Sequence, residues 1–434
     1  MHLTRAKARS ALAGIDLRVA IAFWLFGLIN NIFYVIILSA ALDLVGPNIP
    51  KATVLLSSII PGLATKLIVP YLIHLIPYSA RVVVLAVLST CGMLIVALSP
   101  AHAVVAKVAG IVLANISSGA GEVHFLALTH FYGTTSLAAW GSGTGGAGLL
   151  GAGAYALATT TFGFSVRTTL LSSAVIPVGM VLSFFCLLPL DPLKTAGSKG
   201  SEYDPLPVDE QPERHEIEEE AAGLLTRDES AAAVSTISTM PRSGAHFLLQ
   251  DLQTKLHRAK GLLIPYMLPL FLVYASEYTI NQGVAPTLLF PLASTPFKQY
   301  RAFYPTYGAI YQLGVFISRS SLPFIRIRTL YVPSVLQLLN LVLLTAQALF
   351  MFIPSVWLIF GIVLWEGLLG GLVYVSTYAA VREEVEERDR EFSLGAVTVS
   401  DSAGIFVAGL VGVVLEGQLC SWQVAHGRDW CRRL

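Results

Sequence analysis

Long apolar stretches constrain this chain more than any other feature of its sequence. A helix that spans a membrane needs about 20 mostly apolar residues, and such windows recur along the whole chain. They lie near residues 19–43, 52–75, 80–99, 103–128, 138–161, 168–190, 261–283, 302–319, 330–350, 355–381 and 393–416. Only 13% of the residues are charged, against about a quarter in soluble domains. The sequence therefore predicts an all-α polytopic membrane protein with about 11 transmembrane helices.

A polar linker divides the apolar windows into two groups. Residues 1–190 hold six windows and residues 261–434 hold five. The linker at 191–260 begins with a stretch rich in Pro, Glu, Asp and Ser, which predicts disorder because it has little to bury. Its end places Phe247, Leu248, Leu252 and Leu256 on one helical face. This pattern predicts a short amphipathic helix on the membrane surface, just before the seventh span.

Lysine and arginine are distributed unevenly between the two sides of the predicted bundle. With a cytosolic N-terminus, most cations outside the linker fall in cytosolic segments, namely Arg81, Arg319, Arg326, Arg328, Arg382, Arg388 and Arg390. Because cytosolic loops carry the excess of Lys and Arg, we expect the N-terminus in the cytosol. The tail, with Arg428, Arg432 and Arg433, would then be lumenal unless a re-entrant segment returns it to the cytosol.

The two halves share sequence landmarks in the same order. Gly110-Ile111-Val112-Leu113 recurs 251 residues later as Gly361-Ile362-Val363-Leu364, and Ile29-Asn30 recurs at the same offset as Ile280-Asn281. Lys66 and Pro70 recur as Arg319 and Pro323, at an offset of 253. Helices one and seven both leave the cytosol, so the repeat is parallel. Two parallel pseudo-repeats predict a fold like that of major-facilitator transporters, whose substrate site lies between the halves.

Several functional classes lack the patterns that they require. There is no basic patch with interleaved aromatic residues, so we expect no nucleic-acid partner. The run WGSGTGGAGLLGAG has no strand before it and no Gly-Lys-Ser/Thr after it, which excludes a phosphate-binding loop and predicts close helix packing. No zinc ligands, serine elbow or catalytic carboxylate pair is present, so we expect neither an enzyme nor a cofactor. Cys91 and Cys186 are expected to be small buried apolar residues.

Seven runs of sequence resemble the battenin family, the membrane proteins affected in juvenile Batten disease, and its fungal members in particular. They are FWLFGLINNIFYVIILSAA, SSGAGEVHFLAL, WGSGTGGAGLLGA, VYASEYTINQG, YQLGVFISRSSL, WEGLLGGLVYVSTY and REFSLGAVTVSDSAGI. The resemblance implies a lysosomal or vacuolar membrane and a link to vacuolar pH and basic amino-acid homeostasis in fungi. In animals it implies a link to clearance of glycerophosphodiesters. Cys420 resembles a lipidated family cysteine, and Cys431 can be read as part of a prenylation box.

Ionisable residues within the predicted spans are the candidate functional residues. Charge inside a bilayer is costly unless it faces water, a partner or a substrate. The cations are Lys66 and Arg319, and the acids are Glu122, Glu277, Glu366 and Asp401. A structural ion pair, or a side chain reaching the headgroups, is the alternative for each. Asn30 and Asn281 lie within spans one and seven, where they could hydrogen-bond across the half–half interface or to a substrate.

Two solute classes and two functional roles follow from these residues. Lys66 and Arg319 could bind a phosphodiester anion, while the acids take up protons or a cationic group. A basic amino acid would instead bind to the acids. We expect a vacuolar or lysosomal transporter of basic amino acids or glycerophosphodiesters that contributes to vacuolar pH homeostasis. The alternative is a non-transporting membrane regulator of vacuolar pH or trafficking that acts through the linker.

The linker also contains a candidate sorting signal. Glu220, Leu224 and Leu225 have the spacing of an acidic dileucine motif, which cytosolic adaptors recognise. We therefore expect sorting adaptors as partners, besides the lipid bilayer, the small solute and protons. The expected location is the vacuolar or lysosomal membrane, with multiple spans.

Overall fold

The computed structural model describes residues 16–39, 51–72, 75–100, 103–194 and 244–433, and its regular structure within these ranges is helical throughout. One compact unit comprises Met1–Pro189 with Lys255–Leu434, and a separate unit comprises Leu190–Thr254. The linker stretch predicted to be disordered lies almost entirely outside the described residues, as do Glu220, Leu224 and Leu225. Those assignments, and the proposed domain boundaries, stay predictions.

Twelve labelled helices build the described part of the chain. In the first half they are α1 (Leu17–Ser39), α2 (Lys51–Leu72), α3 (Tyr78–Leu98), α4 (Val104–Ala156) and α5 (Val166–Leu187). In the second half they are α6 (Gly244–Leu262), α7 (Leu268–Thr279), α8 (Phe303–Ser320), α9 (Tyr331–Phe350), α10 (Val356–Glu384), α11 (Glu387–Ala396) and α12 (Val399–Ala425). Short helical turns continue α7 to Thr287.

Helix α4 supplies two membrane spans because it folds back on itself at Gly133. The backbone of Gly133 adopts φ 82° and ψ −173°, a conformation that favours glycine. The rings of Phe125 and Trp140, on either side of the bend, lie 5.6 Å apart. In a straight helix these two residues would be about 22 Å apart, at 1.5 Å per residue. The predicted spans end at residue 128 and resume at residue 138, whereas α4 is helical through these positions except at the bend.

The predicted fold class is confirmed. Eight helical runs among the described residues are long and apolar enough to cross a membrane, and one of them contains both arms of α4. Helix α2, whose apolar part is Ser58–Leu72, and the more polar α8 complete the set of eleven spans. The predicted end of the last span at residue 416 was too early, since α12 continues to Ala425. Its last turns hold together because Gln423 Nε2 donates to the carbonyls of Thr287 and Ala348 at 2.9 and 2.8 Å.

The first and seventh spans begin on the same side of the bundle, as a parallel repeat requires. The ring of Phe23, near the start of α1, lies 5.4 Å from the ring of Tyr132 beside the Gly133 bend. Tyr266, near the start of the seventh span, donates to Glu384 at the end of α10 at 2.6 Å. The ends of α10 and of the first arm of α4 meet through the bond from Arg382 Nη1 to the Thr129 carbonyl, at 2.7 Å. We call this end, which includes Pro189 and Lys255, the linker side.

The halves meet through two helix pairs that the repeat makes equivalent. Helix α2 packs against α12, and the second arm of α4 packs against α8. Helices α2 and α8 are the second spans of their halves, while the second arm of α4 and α12 are the fifth spans. A two-fold exchange of the halves therefore converts one interface into the other, around a central space.

Glycines of the second arm of α4 bring its two neighbours close, as the sequence predicts. A Cβ on Gly143 would overlap the Trp24 carbonyl of α1. A Cβ on Gly145 would lie 3.0 Å from the Cα of Phe316 in α8. One helix thus contacts a helix of its own half on one face and a helix of the other half on another face. Small residues are what permit this close approach between membrane helices.

The C-terminal segment is fixed to the end of the bundle opposite the linker side, which we call the tail side. Cys420 and Cys431 form a disulfide. The Trp430 ring stacks on Tyr300 at 6.1 Å, and Arg428 donates to the Leu349 carbonyl. Cys431 is thus engaged in a disulfide rather than in a prenylation box. Cys91 and Cys186 are free and exposed, contrary to the expectation of burial, because apolar side chains of a membrane helix can face lipid.

The disulfide predicts how many thiols react with a maleimide reagent. Protein denatured without reductant should be modified at two cysteines, Cys91 and Cys186, and at all four after reduction. A gel-shift assay with maleimide-polyethylene glycol counts the modified thiols. As a control, Cys431→Ser should add one reactive thiol without reductant, because it frees Cys420. Four reactive thiols in unreduced wild-type protein would show that the disulfide is not formed.

Candidate functional site

A polar cavity lies between the two halves. Its volume is about 110 Å³. The side chains that line it include Lys66, Glu122, Tyr274, Arg319, Tyr374 and Asp401. Ligand pockets usually have volumes of about 300 Å³ or more, so the space seen here accommodates a charged group of a small solute rather than a whole solute. A complete binding site requires some separation of the helices around it.

Three charged side chains form an ion cluster across the interface of the halves. Lys66 Nζ lies 2.7 Å from Glu122 Oε2 and 2.8 Å from Asp401 Oδ1. Lys66 and Glu122 belong to the first half, on α2 and α4, whereas Asp401 belongs to α12 in the second half. All three side chains are buried. One ammonium thus faces two carboxylates, and the cluster carries one negative charge when all three groups are ionised.

Glycines on α2 and α4 allow Lys66 to reach Glu122. A Cβ on Gly119 would lie 2.9 Å from the carbonyl oxygen of Gly62 on α2. Gly62 is four residues before Lys66, and Gly119 is three residues before Glu122. Residues at these spacings lie on the same helix face, so the close approach of the two glycines brings the two charged groups together one turn further along.

Arg319 is the second cation of the cavity, and hydroxyl groups rather than carboxylates hold it. Its Nη1 donates to Thr144 Oγ1 and its Nη2 donates to the Tyr274 hydroxyl, each at 2.7 Å. Its guanidinium carbon lies 4.0 Å from the centroid of the Tyr374 ring. The Nε atom is buried without a hydrogen-bond partner, and no carboxylate of the described residues lies within ion-pair distance of the guanidinium. Arg319 is thus the cation that can accept an anionic ligand.

Tyr374 on α10 connects the ion cluster to Arg319. Its hydroxyl donates to Glu122 Oε1 at 2.9 Å and accepts from Trp140 Nε1 at 3.1 Å. Its ring packs under the Arg319 guanidinium. Arginine stacked over an aromatic face gains a cation–π attraction that is larger when the pair is desolvated. A movement of Tyr374 would therefore affect both the ion cluster and the anion-accepting cation.

The remaining predicted site residues form contacts within one half. Asn30 Nδ2 donates to the Ser118 carbonyl at 3.0 Å, inside the first half. Asn281 Nδ2 donates to Glu366 Oε1 at 3.2 Å, inside the second half. Neither amide bonds across the half–half interface. Glu277 and Glu366 are buried on α7 and α10 but do not line the cavity.

Sequence reasoning missed the aromatic and hydroxyl residues of the site. Thr144 and Tyr274 accept hydrogen bonds from Arg319. Tyr374 donates to Glu122 and accepts from Trp140. The available signal was the spacing of Tyr274 with Tyr278 and of Tyr374 with Tyr378, each four residues apart within a span. Such pairs share one helix face, but the sequence alone does not distinguish a cavity wall from an apolar core.

The halves are joined on the linker side, while the cavity extends toward the tail side. Tyr78 on α3 donates to Glu391 on α11, and the rings of Tyr71 and Phe392 lie 5.6 Å apart. Both contacts connect the first half to the short helix α11. From Lys66 the cavity reaches Tyr34 and Ser58, which lie toward the tail-side ends of α1 and α2. The structure therefore represents a state that is closed on the linker side.

Two solved structures of transporters resemble the fold over nearly the whole chain. The human organic anion transporter MFSD10 (TETRAN) has a TM-score of 0.57 at 14% identity, with 96% of each chain covered. The proton:xylose symporter XylE, a member of the major facilitator superfamily, has a TM-score of 0.55 at 13% identity, with 98% of this chain and 93% of that chain covered. At such low identity the likeness shows the fold alone, which is the major-facilitator fold expected from the repeat.

Sequence comparison identifies close relatives among fungal proteins. The protein btn1 of Aspergillus fumigatus is 57% identical over 98% of this chain and 93% of its own length. The protein btn-1 of Neurospora crassa is 53% identical over 100% of this chain and 95% of its own length. The family model described as CLN3 protein matches residues 21–422. This range contains every charged residue of the cavity, and the chain therefore belongs to the CLN3 protein, or battenin, family.

Proposed function

We propose that this protein is a secondary transporter that moves a small polar solute with an anionic group across a vacuolar or lysosomal membrane, with protons as the coupling ion. It is proposed to act as a transporter rather than as an enzyme. One observation carries the proposal: Arg319 is a half-buried cation without a carboxylate partner among the described residues, and it faces a cavity between two halves. A charge in this position is costly unless a ligand or water compensates it.

Both solute classes expected from the sequence fit an arginine anchor. A glycerophosphodiester offers a phosphate and a basic amino acid offers a carboxylate, and the guanidinium fork binds either with two parallel hydrogen bonds. Lys66 is a poorer anchor than the sequence suggested, because two carboxylates already occupy its ammonium group. A cationic part of the solute would contact the faces of Tyr274 and Tyr278, which line the same cavity.

The ion cluster provides a contact between the halves that can form in one state of the transport cycle and break in another. Lys66 and Asp401 come from different halves, so movement of one half against the other separates them. Glu122 stays with Lys66 in the first half and compensates its charge when Asp401 moves away. In the state closed on the linker side, a solute enters from the tail side and binds Arg319. Rearrangement of Tyr374 then weakens the inter-half contacts, since this residue touches both Glu122 and Arg319.

The tail side is proposed to face the lumen of the organelle and the linker side the cytosol. The distribution of Lys and Arg in the sequence supports this orientation. The disulfide between Cys420 and Cys431 lies on the tail side, and disulfides persist in oxidising compartments rather than in the cytosol. A cytosolic linker would also present Glu220, Leu224 and Leu225 to sorting adaptors.

Substitution of Arg319 tests the proposed transport function. Purified protein in proteoliposomes should take up labelled glycerophosphodiester or arginine faster than protein-free liposomes. Arg319→Lys keeps the charge but cannot hold both hydroxyl partners and grip an anion with two bonds. Loss of one charge-assisted hydrogen bond, worth about 1.5–3 kcal/mol, should lower uptake about 10- to 100-fold.

Arg301→Lys is the matched control, because Arg301 is exposed in the tail-side loop and bonds to the neighbouring Gln299. This variant should transport like wild type. Absence of uptake of either solute by wild-type protein would contradict the transporter proposal and favour the regulator alternative. Equal uptake by Arg319→Lys and wild type would remove Arg319 as the anchor.

Removal of the Lys66 charge should destabilise the protein strongly. Lys66→Met leaves Glu122 and Asp401 buried without their cation, and breaking a buried ion pair costs about 3–5 kcal/mol. We expect a lower melting temperature in detergent, measured by intrinsic fluorescence. Adding Glu122→Gln and Asp401→Asn to Lys66→Met should restore most of the loss, because no uncompensated charge then remains. If Lys66→Met melts like wild type, the cluster does not hold the halves together.

The sorting proposal is tested in cells. Leu224→Ala combined with Leu225→Ala should weaken delivery to the vacuole, because an adaptor would lose the apolar contact that it makes with the leucine pair. Fluorescence microscopy of the tagged protein measures the location. Unchanged vacuolar localisation of the double variant would exclude the motif as the sorting signal.

A further inference from the structure

A second buried polar cluster lies outside the cavity, in the second half. Glu277 on α7 and Glu366 on α10 are 2% and 0% exposed, respectively. Glu277 Oε1 accepts a hydrogen bond from the Tyr311 hydroxyl of α8. Glu366 Oε1 accepts one from Asn281 Nδ2 at 3.2 Å. The second oxygen of each carboxyl group, Oε2, is buried without any hydrogen-bond partner.

The two carboxyl groups face each other's helices. A Cβ on Gly370, one turn beyond Glu366 on α10, would overlap the carboxyl group of Glu277. Asn281, which contacts Glu366, lies one turn beyond Glu277 on α7. The glycine thus provides the space in which the Glu277 carboxyl rests against α10. The two carboxyl groups are therefore part of the packed interface between α7 and α10, and they are not two surface acids that happen to lie close together.

The surroundings offer no cation that pairs with either carboxyl group directly. Among the described residues, neither Glu277 nor Glu366 forms an ion pair with Lys, Arg or His. The other ionisable groups on α7 and α10 are Tyr274, Tyr278, Tyr374, Tyr378, Arg382, Glu383 and Glu384. Those on the adjoining helices α8, α9 and α12 are, besides Tyr311, Tyr304, Tyr307, Arg319, Tyr331, Asp401 and Glu416. Arg319 donates to Thr144 and Tyr274, and Asp401 contacts Lys66.

A carboxylate buried in this way is stable in its neutral form. An ionised carboxylate without a cation pays a desolvation cost of several kcal/mol. Protonation removes that cost and gives the group one O–H donor. We propose that Glu277 and Glu366 form the proton-binding site of the transporter, separate from the solute cavity. This inference rests on the proposed transport function and specifies the residues that bind the coupling proton.

The same two helices connect this proton site to the solute anchor. Tyr274, which accepts from Arg319, lies three residues before Glu277 on α7. Tyr311, which donates to Glu277, lies two turns before Arg319 on α8. Any shift of α7 against α8 on release of the proton therefore changes the position of Tyr274 relative to Arg319. This connection gives a direct route by which proton binding alters affinity for an anionic solute.

Proton coupling is tested in proteoliposomes with Glu277→Gln and Glu366→Gln. Both variants keep the size of the side chain but cannot take up a proton. In wild type, acid outside the vesicle should drive solute accumulation, and solute exchange should become faster as pH falls. In each variant we expect loss of gradient-driven accumulation and an exchange rate that no longer depends on pH. Glu383→Gln on α10, an exposed residue that pairs with Arg326, is the matched control and should behave like wild type.

A spectroscopic measurement keeps the proposal testable if a variant transports poorly. Infrared difference spectra of full-length protein in detergent, recorded during alkaline titration, should show a loss of carboxylic-acid absorption that is weaker in each variant and absent when Glu277→Gln and Glu366→Gln are combined. Wild-type spectra without such a band, or with a band that survives both substitutions, would overturn the proton site. So would accumulation driven by a sodium gradient and indifferent to pH, a result that would support solute transport but exclude protons as the coupling ion. A wild-type protein that transports nothing would instead contradict the proposed function.

Discussion

The contact of Lys66 with Glu122 and Asp401 is the interaction on which the arrangement of the two halves depends. Three charges cannot be buried in a bilayer protein unless they compensate one another, and here the compensation comes from both halves. Because the pair of Lys66 with Asp401 crosses the interface, the packing of α2 against α12 is tied to a charge balance. The halves can separate there only if Glu122 continues to compensate Lys66.

The second span of each half carries one cation, but the two cations have different partners. Lys66 and Arg319 occupy the second spans of the two halves. Lys66 faces carboxylates, whereas Arg319 faces hydroxyl groups and an aromatic ring. The two halves share a fold but differ in chemistry: the cation of the first half is paired with carboxylates, whereas the cation of the second half can accept an anion. The planar guanidinium suits the second environment because it can stack and donate at the same time.

Much of the fold could be predicted from the sequence, because apolar windows and their repeat are direct consequences of spanning a bilayer. The reversal at Gly133 could not be predicted, because helix-forming residues continue up to it. The extension of α12 could not be predicted either, because its last turns are polar. The candidate charged residues could also be identified from the sequence, since burying a charge within a membrane span costs free energy. The partners of these residues could not be identified, because the contact of Glu122 with Tyr374 depends on the packing of helices whose contacting residues are 252 positions apart in the chain.

The different roles of the charged residues could not be predicted from the sequence either. The six ionisable residues looked alike as isolated interruptions of apolar runs. Their geometry separates them into a compensated cluster, an anion-accepting arginine and a carboxyl pair away from the cavity. A hydroxyl partner such as Thr144 has no sequence signature, because threonine is also common in tightly packed membrane helices.

The proposed transport cycle requires the halves to separate on the linker side when solute is carried. Spin labels at Leu72 and Glu387, both exposed and on different halves, would report that separation by double electron–electron resonance, after replacement of the free Cys91 and Cys186 by serine. We expect a single short distance between the labels without solute, and a second, longer distance whose population increases when solute is added, because this separation is part of the transport cycle. A distance distribution that does not change with solute or pH would contradict it.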